Sequence, residues 1–256
     1  MLLVLFVSAT LTVILAVIYT AIIIRKNKET ELIQREYIDN ISHELKSPIA
    51  SVRALTETMY DGLVPEEEKR KEYCGIMLNE LHNLEHTVTY MLELSRIQSK
   101  KIDCQKHKIS APDLFQAVLN KYDALCEEMD VSFTCIPPLN HCPAVYTNQN
   151  LAARLMDILL DNAVKFSGEE GSVQITYVSD IKCVTISVIN SGRPISPEDQ
   201  PHIFSRFYKG DKSHNGKGSG LGLAIASEIA VSLDEKLWLR KSDSSGTEFC
   251  FTLKKN

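Results

Sequence analysis

His43 is followed directly by Glu44, and Pro48 stands five residues on. An ordinary imidazole, with a pKa of about 6.5, is mostly neutral near pH 7 and can act as a nucleophile. A carboxylate beside it can orient the ring and accept its proton. Ser47 adds a hydroxyl four residues from the histidine. Taken alone, His43 reads as an ordinary surface histidine. Pro48 argues for more, because proline inside a helix clashes with the carbonyl four residues back. That carbonyl belongs to Glu44, so the helix is expected to bend or loosen beside His43.

A second group of polar residues lies far along the chain. Asn162, Lys165 and Phe166 share a helical stretch. An amide oxygen there can serve Mg²⁺, which takes few protein ligands and keeps several waters. Lys165 lies nearly one turn further and can reach a phosphate. Core packing explains Leu155, Leu159 and Ala163 on this helix but not Asn162 or Lys165. Glycines follow at 216, 218, 220 and 222. A Walker loop fails here because Asp211 and Gly218 occupy positions that need Gly and Ser or Thr, and a dinucleotide fingerprint fails at Leu221. A mobile glycine-rich lid leading into a helix N-terminus is left. Free N–H groups at such an end suit a triphosphate.

The elements that must position these groups follow from periodicity. Ile38, Ile41, Leu45, Ile49, Val52, Leu55 and Met59 make one helical stripe, and His43 lies about 200° from Ile41 and Leu45, on the solvent face. Asp61-Gly62 stops that helix, and Pro65 with Glu66-Glu67-Glu68 opens the next. The second helix carries Met77, Leu81, Leu84, Val88 and Met91 in 4-3-4-3 spacing. One antiparallel hairpin cannot cover both stripes, which predicts a homodimeric four-helix bundle. Beyond Lys100 the pattern changes. Helices are expected from Pro112, from Asn148 to Phe166 with Asn148 as cap, and from Leu221 to Val231. Strands are expected at 131–136, 173–178, 184–189, 237–241 and 248–253. This mixture predicts an α/β two-layer sandwich with helices on one face.

Leu2 to Ile24 contains no charged residue and leads into Arg25-Lys26-Asn27-Lys28. A helix of that length spans about 34 Å, enough for a bilayer core of about 30 Å. A signal peptide would have a positive start and a shorter apolar core. The predicted arrangement is therefore a single-pass segment at 1–25 in the cell membrane, a helical domain at 26–100 and an α/β domain at 101–256, both in the cytoplasm. Acidic residues outnumber basic ones 33 to 28, which gives no support for a nucleic-acid binder. The 7 cysteines are scattered, and no C-x-x-C occurs. Cys135, His141 and Cys142 are close in sequence but lack an evident fourth ligand, so idle reduced thiols are the favoured reading over zinc.

The motifs together resemble the bacterial sensor histidine kinases of two-component systems. Tyr37-Ile38-Asp39-Asn40-Ile41-Ser42-His43-Glu44-Leu45-Lys46-Ser47-Pro48-Ile49 resembles their phospho-acceptor box, and Asp161-Asn162-Ala163-Val164-Lys165-Phe166-Ser167 their asparagine box. Asn190-Ser191-Gly192-Arg193-Pro194-Ile195 resembles the first glycine box, and 203–209 with Phe204, Phe207 and Lys209 the phenylalanine box. Gly218-Ser219-Gly220-Leu221-Gly222-Leu223 resembles the second glycine box and Gly246-Thr247 the last. The resemblance runs from about Glu29 to Leu253 and implies a dimerisation and phospho-acceptor domain followed by a Bergerat-type ATP-binding fold. It also implies the activity of a protein-histidine kinase: His43 receives the γ-phosphoryl of Mg-ATP and passes it to an aspartate of a response regulator. Asn162 would then hold Mg²⁺, and Lys165 and Lys209 would face phosphates. Phe166, Asn190, Gly192, Ile195, Phe204, Phe207, Gly218, Gly220, Leu221, Gly222, Leu223 and Thr247 would line the nucleotide. Exposed positions such as Arg53 would meet the regulator.

Five positions depart from the family pattern: Ile158 replaces an Asn, Asn190 an Asp, Pro194 a Gly, Asn148 an Asp and Ser47 a frequent Thr. Ile158 cannot bind Mg²⁺ or water, and related ATP-hydrolysing families carry a general-base Glu there. This disfavours a gyrase-like ATPase and leaves a weakly active dimeric scaffold as one alternative. Ser47 keeps the hydroxyl that a regulator phosphatase would need, which is a second.

Overall fold

The computed structural model describes residues 2–98, 104–168, 170–210 and 220–255, and the side chains of 2–17, 27, 29–37 and 98 also lie outside the described residues. The chain forms two compact units, Met1–Leu81 and His82–Asn256.

The first unit is built on helix α1, Leu2–Tyr60, and the first half of helix α2, Glu67–Gln98. The expected loosening beside His43 does not interrupt α1, which is helical through Pro48. Proline removes one backbone bond, and the long helical flanks on either side hold the rest. Gly62 ends α1 at φ +69°. Its N–H donates to the Met59 carbonyl and the Leu63 N–H to that of Thr58, the two bonds of a Schellman cap. The apolar stripes are only partly covered within one chain: Ile49 is 55% and Leu81 50% exposed. The candidate membrane segment forms the first part of α1, with its side chains largely outside the described residues. No helix among those described is long and apolar enough to cross a membrane.

The second unit holds a five-stranded sheet in the order β2-β4-β5-β7-β6: β2 Ser132–Cys135, β4 Ser172–Ser179, β5 Cys183–Asn190, β6 Leu237–Asp243 and β7 Gly246–Lys254. Only the β2–β4 pair is parallel. A separate ribbon pairs β1, His107–Ile109, with β3, Val145–Thr147, two short strands that alternation alone does not reveal. One sheet face presents Val173, Ile175, Val184, Ile186, Val188, Phe249, Phe251 and Leu253, all buried. Three helices cover it: α3 Ala111–Glu128, α4 Gln149–Phe166 and α5 Gly222–Ser232. Leu155, Leu159, Ile225 and Ile229 are fully buried, and each such side chain stabilises the fold by about 1.5–3 kcal/mol. Ser110 caps α3, and the Asn148 side chain accepts from the Leu151 N–H at 3.1 Å to cap α4. The architecture is the expected helical hairpin followed by an α/β two-layer sandwich.

Candidate active site

On α1 the stripe turns His43 outward. His43 and Ser47 are exposed, whereas Glu44, Leu45 and Pro48 are half-buried. Arg53 is exposed and its Nε lies 3.7 Å from Glu57, one turn on. The helix thus offers a histidine, a carboxylate and a hydroxyl along one accessible stretch.

In the second unit, the end of α4 meets the end of β5. The Asn190 amide donates to the carbonyls of Phe166 at 3.2 Å and Ser191 at 2.6 Å. Both of its N–H groups are thereby engaged, which leaves the amide oxygen as the acceptor. Ser191 Oγ donates to the Ser167 carbonyl at 2.9 Å and so holds the same junction. Gly192 has φ +125°, and a Cβ there would stand 2.0 Å from the Phe166 carbonyl oxygen. No side chain fits that crossing. Gly246, also at φ +125°, crosses Asn190 as closely, with a virtual Cβ 2.4 Å from its carbonyl oxygen. Thr247 pairs with Asn190 across the sheet and is buried. Its hydroxyl lies 2.7 Å from Ser242 Oγ, which accepts from the Ile195 N–H at 2.8 Å. Phe166, Asn190, Gly192, Ile195 and Thr247 are therefore gathered into one cradle. On its α4 side Asn162 is half-buried, and Lys165 Nζ stands 5.1 Å from the centre of the Phe166 ring.

The glycine-rich approach is described only in part. Gly218 lies outside the described residues. Gly220 has φ +67° and its carbonyl accepts from the Phe207 N–H at 2.9 Å. Phe207 itself sits at φ +61°, and Phe204 packs edge-on to Phe249 at 6.1 Å. Lys209 is half-buried. Leu221 is fully buried just before α5, and no side chain caps that helix. The amides of Gly222 and Leu223 are in the first turn, where N–H groups lack helical partners.

Ile158 is a core residue. It is 3% exposed, and its Cγ2 would lie 3.5 Å from a Cβ at Gly222. It fills the contact between α4 and α5 and offers a metal nothing. The half-buried amide of Asn162 still fits Mg²⁺, which accepts a single protein ligand alongside waters and phosphate oxygens. Among the described residues no group of three or more His, Cys, Asp or Glu could hold a metal. At Cys142 burial pushes the thiol up to about 11, which disfavours a thiolate ligand.

Two family models match in tandem. His Kinase A (phospho-acceptor) domain covers residues 33–100, and Histidine kinase-, DNA gyrase B-, and HSP90-like ATPase covers 147–256. The chain belongs to the sensor histidine kinases. It is 28% identical over 246 residues to sensor histidine kinase WalK of Bacillus subtilis, covering 94% of this chain and 39% of that protein. It is 29% identical to histidine protein kinase SaeS of Staphylococcus epidermidis, covering 90% of this chain and 65% of that one. The chain thus spans less than two thirds of the relatives it matches. Among solved structures, histidine kinase ThkA in complex with response regulator protein TrrA superposes with a TM-score of 0.74 at 26% identity, over 91% of this chain and 65% of that one. Acinetobacter baumannii histidine kinase AdeS gives 0.65 at 20% identity, over 84% and 98%, which supports the fold.

A cluster of partly buried charges joins α2, α3 and α4. Two turns before Asn162, Arg154 pairs with Glu93 of α2, its Nε and Nη2 each 2.9 Å from a carboxylate oxygen. Its Nη1 donates to Asp157 at 2.7 Å. Asp157 also accepts from Lys121 at 2.6 Å and from the Tyr122 hydroxyl at 3.1 Å. Burial works against the Asp157 charge, but Lys121 and Arg154 outweigh it and hold the carboxyl below its usual range. Burial and the nearby Asp157 push the Tyr122 phenol far up. The only sequence signal was Leu94 and Ile97, which fall off the stripe ending at Met91.

Proposed function

We propose that the chain catalyses transfer of the γ-phosphoryl group of Mg-ATP to His43 and then to an aspartate of a response regulator. The observation that carries this reading is an exposed His43 next to Glu44 in the same chain as the cradle around Asn190. His43 nitrogen attacks the γ-phosphorus, the bond to the bridging oxygen breaks, and ADP leaves. Glu44 orients the imidazole and takes its proton. The acceptor face of Asn190 suits an adenine amino group, so the replacement of Asp preserves that contact. Asn162 is the residue to hold Mg²⁺, which would neutralise phosphate charge. Lys165, Lys209 and the first amides of α5 would face the phosphates. Catalysis on these terms is positioning and charge neutralisation.

The half-exposed stripes of α1 and α2 support a homodimeric bundle. ThkA is described in complex with a response regulator protein, and the exposed side of α1 around Arg53 offers a surface for one here. The uncharged run at 2–24 before Arg25 and Lys26 supports a single-pass anchor in the cell membrane, with the catalytic part in the cytoplasm.

Full-length protein in detergent, incubated with Mg²⁺ and γ-labelled ATP beside His43→Gln, tests the reading. Acid-labile, alkali-stable label on the parent alone is expected. ATP binding without label would defeat the kinase and leave a scaffold. Ser47, exposed one turn after His43, favours regulator dephosphorylation as a second activity. Phosphorylated regulator should lose label faster with the parent than with Ser47→Ala.

A further inference from the structure

Lys209 is half-buried, and its neighbours on both sides are fixed. Before it, Arg206 Nη2 donates to Glu228 of α5 at 3.0 Å. The Phe207 N–H donates to the carbonyl of Gly220, just ahead of α5, at 2.9 Å. The two backbones touch there: a Cβ at Gly220 would stand 2.7 Å from the Phe207 carbonyl carbon and 2.9 Å from the Tyr208 carbonyl oxygen. The Tyr208 hydroxyl donates to Asp199 Oδ1 at 2.5 Å, and its ring centre lies 5.5 Å from that of His202. Beyond the lysine, a Cβ at Gly210 would stand 2.8 Å from Asp199 Oδ2. Residues 207–210 are therefore held between the start of α5 and one carboxylate.

That carboxylate is itself anchored to the cradle. The Asp199 N–H donates to the Ser196 carbonyl at 3.0 Å and to Ser196 Oγ at 3.2 Å, which closes a turn. Gln200 Nε2 donates to the Ile195 carbonyl at 3.1 Å, and Ser242 holds the Ile195 N–H. On the opposite side, Phe207 sits at φ +61°, a region that bulky residues avoid. Strained backbone of this kind persists where its surroundings over-determine it, and it gathers at ligand clamps. Packing does not call for the Tyr208 hydroxyl, because a phenylalanine ring fills the same space. The hydroxyl hydrogen is committed to Asp199, which also holds the phenol above its usual pKa.

Resting on the kinase reading, we propose that Asp199 and Tyr208 are positioning residues for the binding of the ATP phosphates. They fix the backbone on both sides of Lys209, so that its ammonium is delivered beside the first amides of α5. A lysine is a point charge on a flexible four-carbon stem, and its placement depends on where the stem is rooted. Asp199 and Tyr208 act through that lysine and touch no phosphate themselves.

The test uses the full chain in detergent with Tyr208→Phe, Asp199→Ala, Lys209→Met and the double variant Tyr208→Phe/Lys209→Met. Each is titrated calorimetrically with Mg-ATP and with adenosine. Tyr208→Phe, which removes one hydrogen bond, should weaken Mg-ATP about three- to tenfold and leave adenosine within about twofold of the parent. Asp199→Ala should weaken Mg-ATP at least as much. The double variant should bind Mg-ATP no more weakly than Lys209→Met, because both changes remove one function. Parent-like affinity in Tyr208→Phe and Asp199→Ala, beside a weakened Lys209→Met, would overturn the proposal alone. Equal losses for both ligands, or additive losses in the double variant, would also overturn it. If Lys209→Met binds Mg-ATP as the parent does, the phosphate role of Lys209 falls and the proposal with it, while labelling of His43 still decides the kinase reading. A parent that binds no Mg-ATP defeats both.

Discussion

Gly192→Ala is the sharpest test of the cradle. The backbone there sits at φ +125°, and the new Cβ would meet the Phe166 carbonyl oxygen at 2.0 Å. An ordinary carbon–oxygen contact needs more than 3 Å, so the end of α4 must retreat from β5 by at least about 1 Å. The backbone strain alone is about 1–3 kcal/mol. Retreat also weakens the Asn190 bond to the Phe166 carbonyl and the Ser191 bond to the Ser167 carbonyl, at about 0.5–1.5 kcal/mol each. The combined loss is about 2–6 kcal/mol, or on the order of 10 °C in melting temperature for a unit of this size. Thermal melting gives the stability, and titration with Mg-ATP gives the affinity. Because Asn190 and Phe166 are displaced together, ATP binding should weaken at temperatures where the protein is still folded. A variant that melts within about 2 °C of the parent and binds ATP as well would refute the close crossing.

Three further outcomes follow from the same geometry. Ile158→Asn should lose about 3–5 kcal/mol in chemical denaturation, since it removes a buried aliphatic group and buries an amide, and it should not raise the rate of His43 labelling. Asn148→Ala should cost about 1 kcal/mol from the lost cap, and Asn148→Asp should keep the cap yet lose the 3.0 Å bond from Asn148 Nδ2 to the Gln105 carbonyl, which denaturation of the three proteins will separate. Asp157 has a lowered folded pKa, so its stabilising effect is present above the unfolded value of about 3.9 and fades as pH falls through the folded value; the stability gap between parent and Asp157→Asn should be flat from pH 6 to 8 and close below about pH 4.

Much of this arrangement was legible because it rests on local rules. The Asn148 cap, the Gly62 stop and the alternation in β4 and β5 each follow from a few neighbouring residues. The outward turn of His43 followed from a stripe of seven apolar positions. Two features were not legible. The strands β1 and β3 have three residues each, too few for alternation to register, and they are defined by pairing across the chain. The Arg154 cluster joins residues 61 positions apart in sequence, and a charged residue on a helix reads as surface until its partners are known. Pro48 leaves α1 uninterrupted. A missing N–H is a local cost, and 59 residues of continuous helix absorb it.

The departures at 158 and 190 look alike in sequence, each exchanging a side chain at a nucleotide-facing motif, but their surroundings separate them. Asn190 has both amide hydrogens committed to neighbouring carbonyls, so its oxygen is the group presented for recognition and the role of an acceptor survives. Ile158 is committed to the contact between α4 and α5 and has no polar role to recover. On the proposed reading the metal donor on α4 would be Asn162 alone, and phosphate charge would be met by lysines and helix amides whose placement depends on where α4 sits. That dependence gives the packing of Ile158 beneath Gly222 a consequence for chemistry: it holds the N-terminus of α5 against the helix that bears Asn162, so a smaller residue there should misplace both at once. Ile158→Ala is accordingly expected to lose about 2–5 kcal/mol of stability and to weaken binding of Mg-ATP more than that of a nucleoside, which lacks the phosphates. Equal weakening for both ligands, measured by calorimetric titration, would assign Ile158 to the core alone.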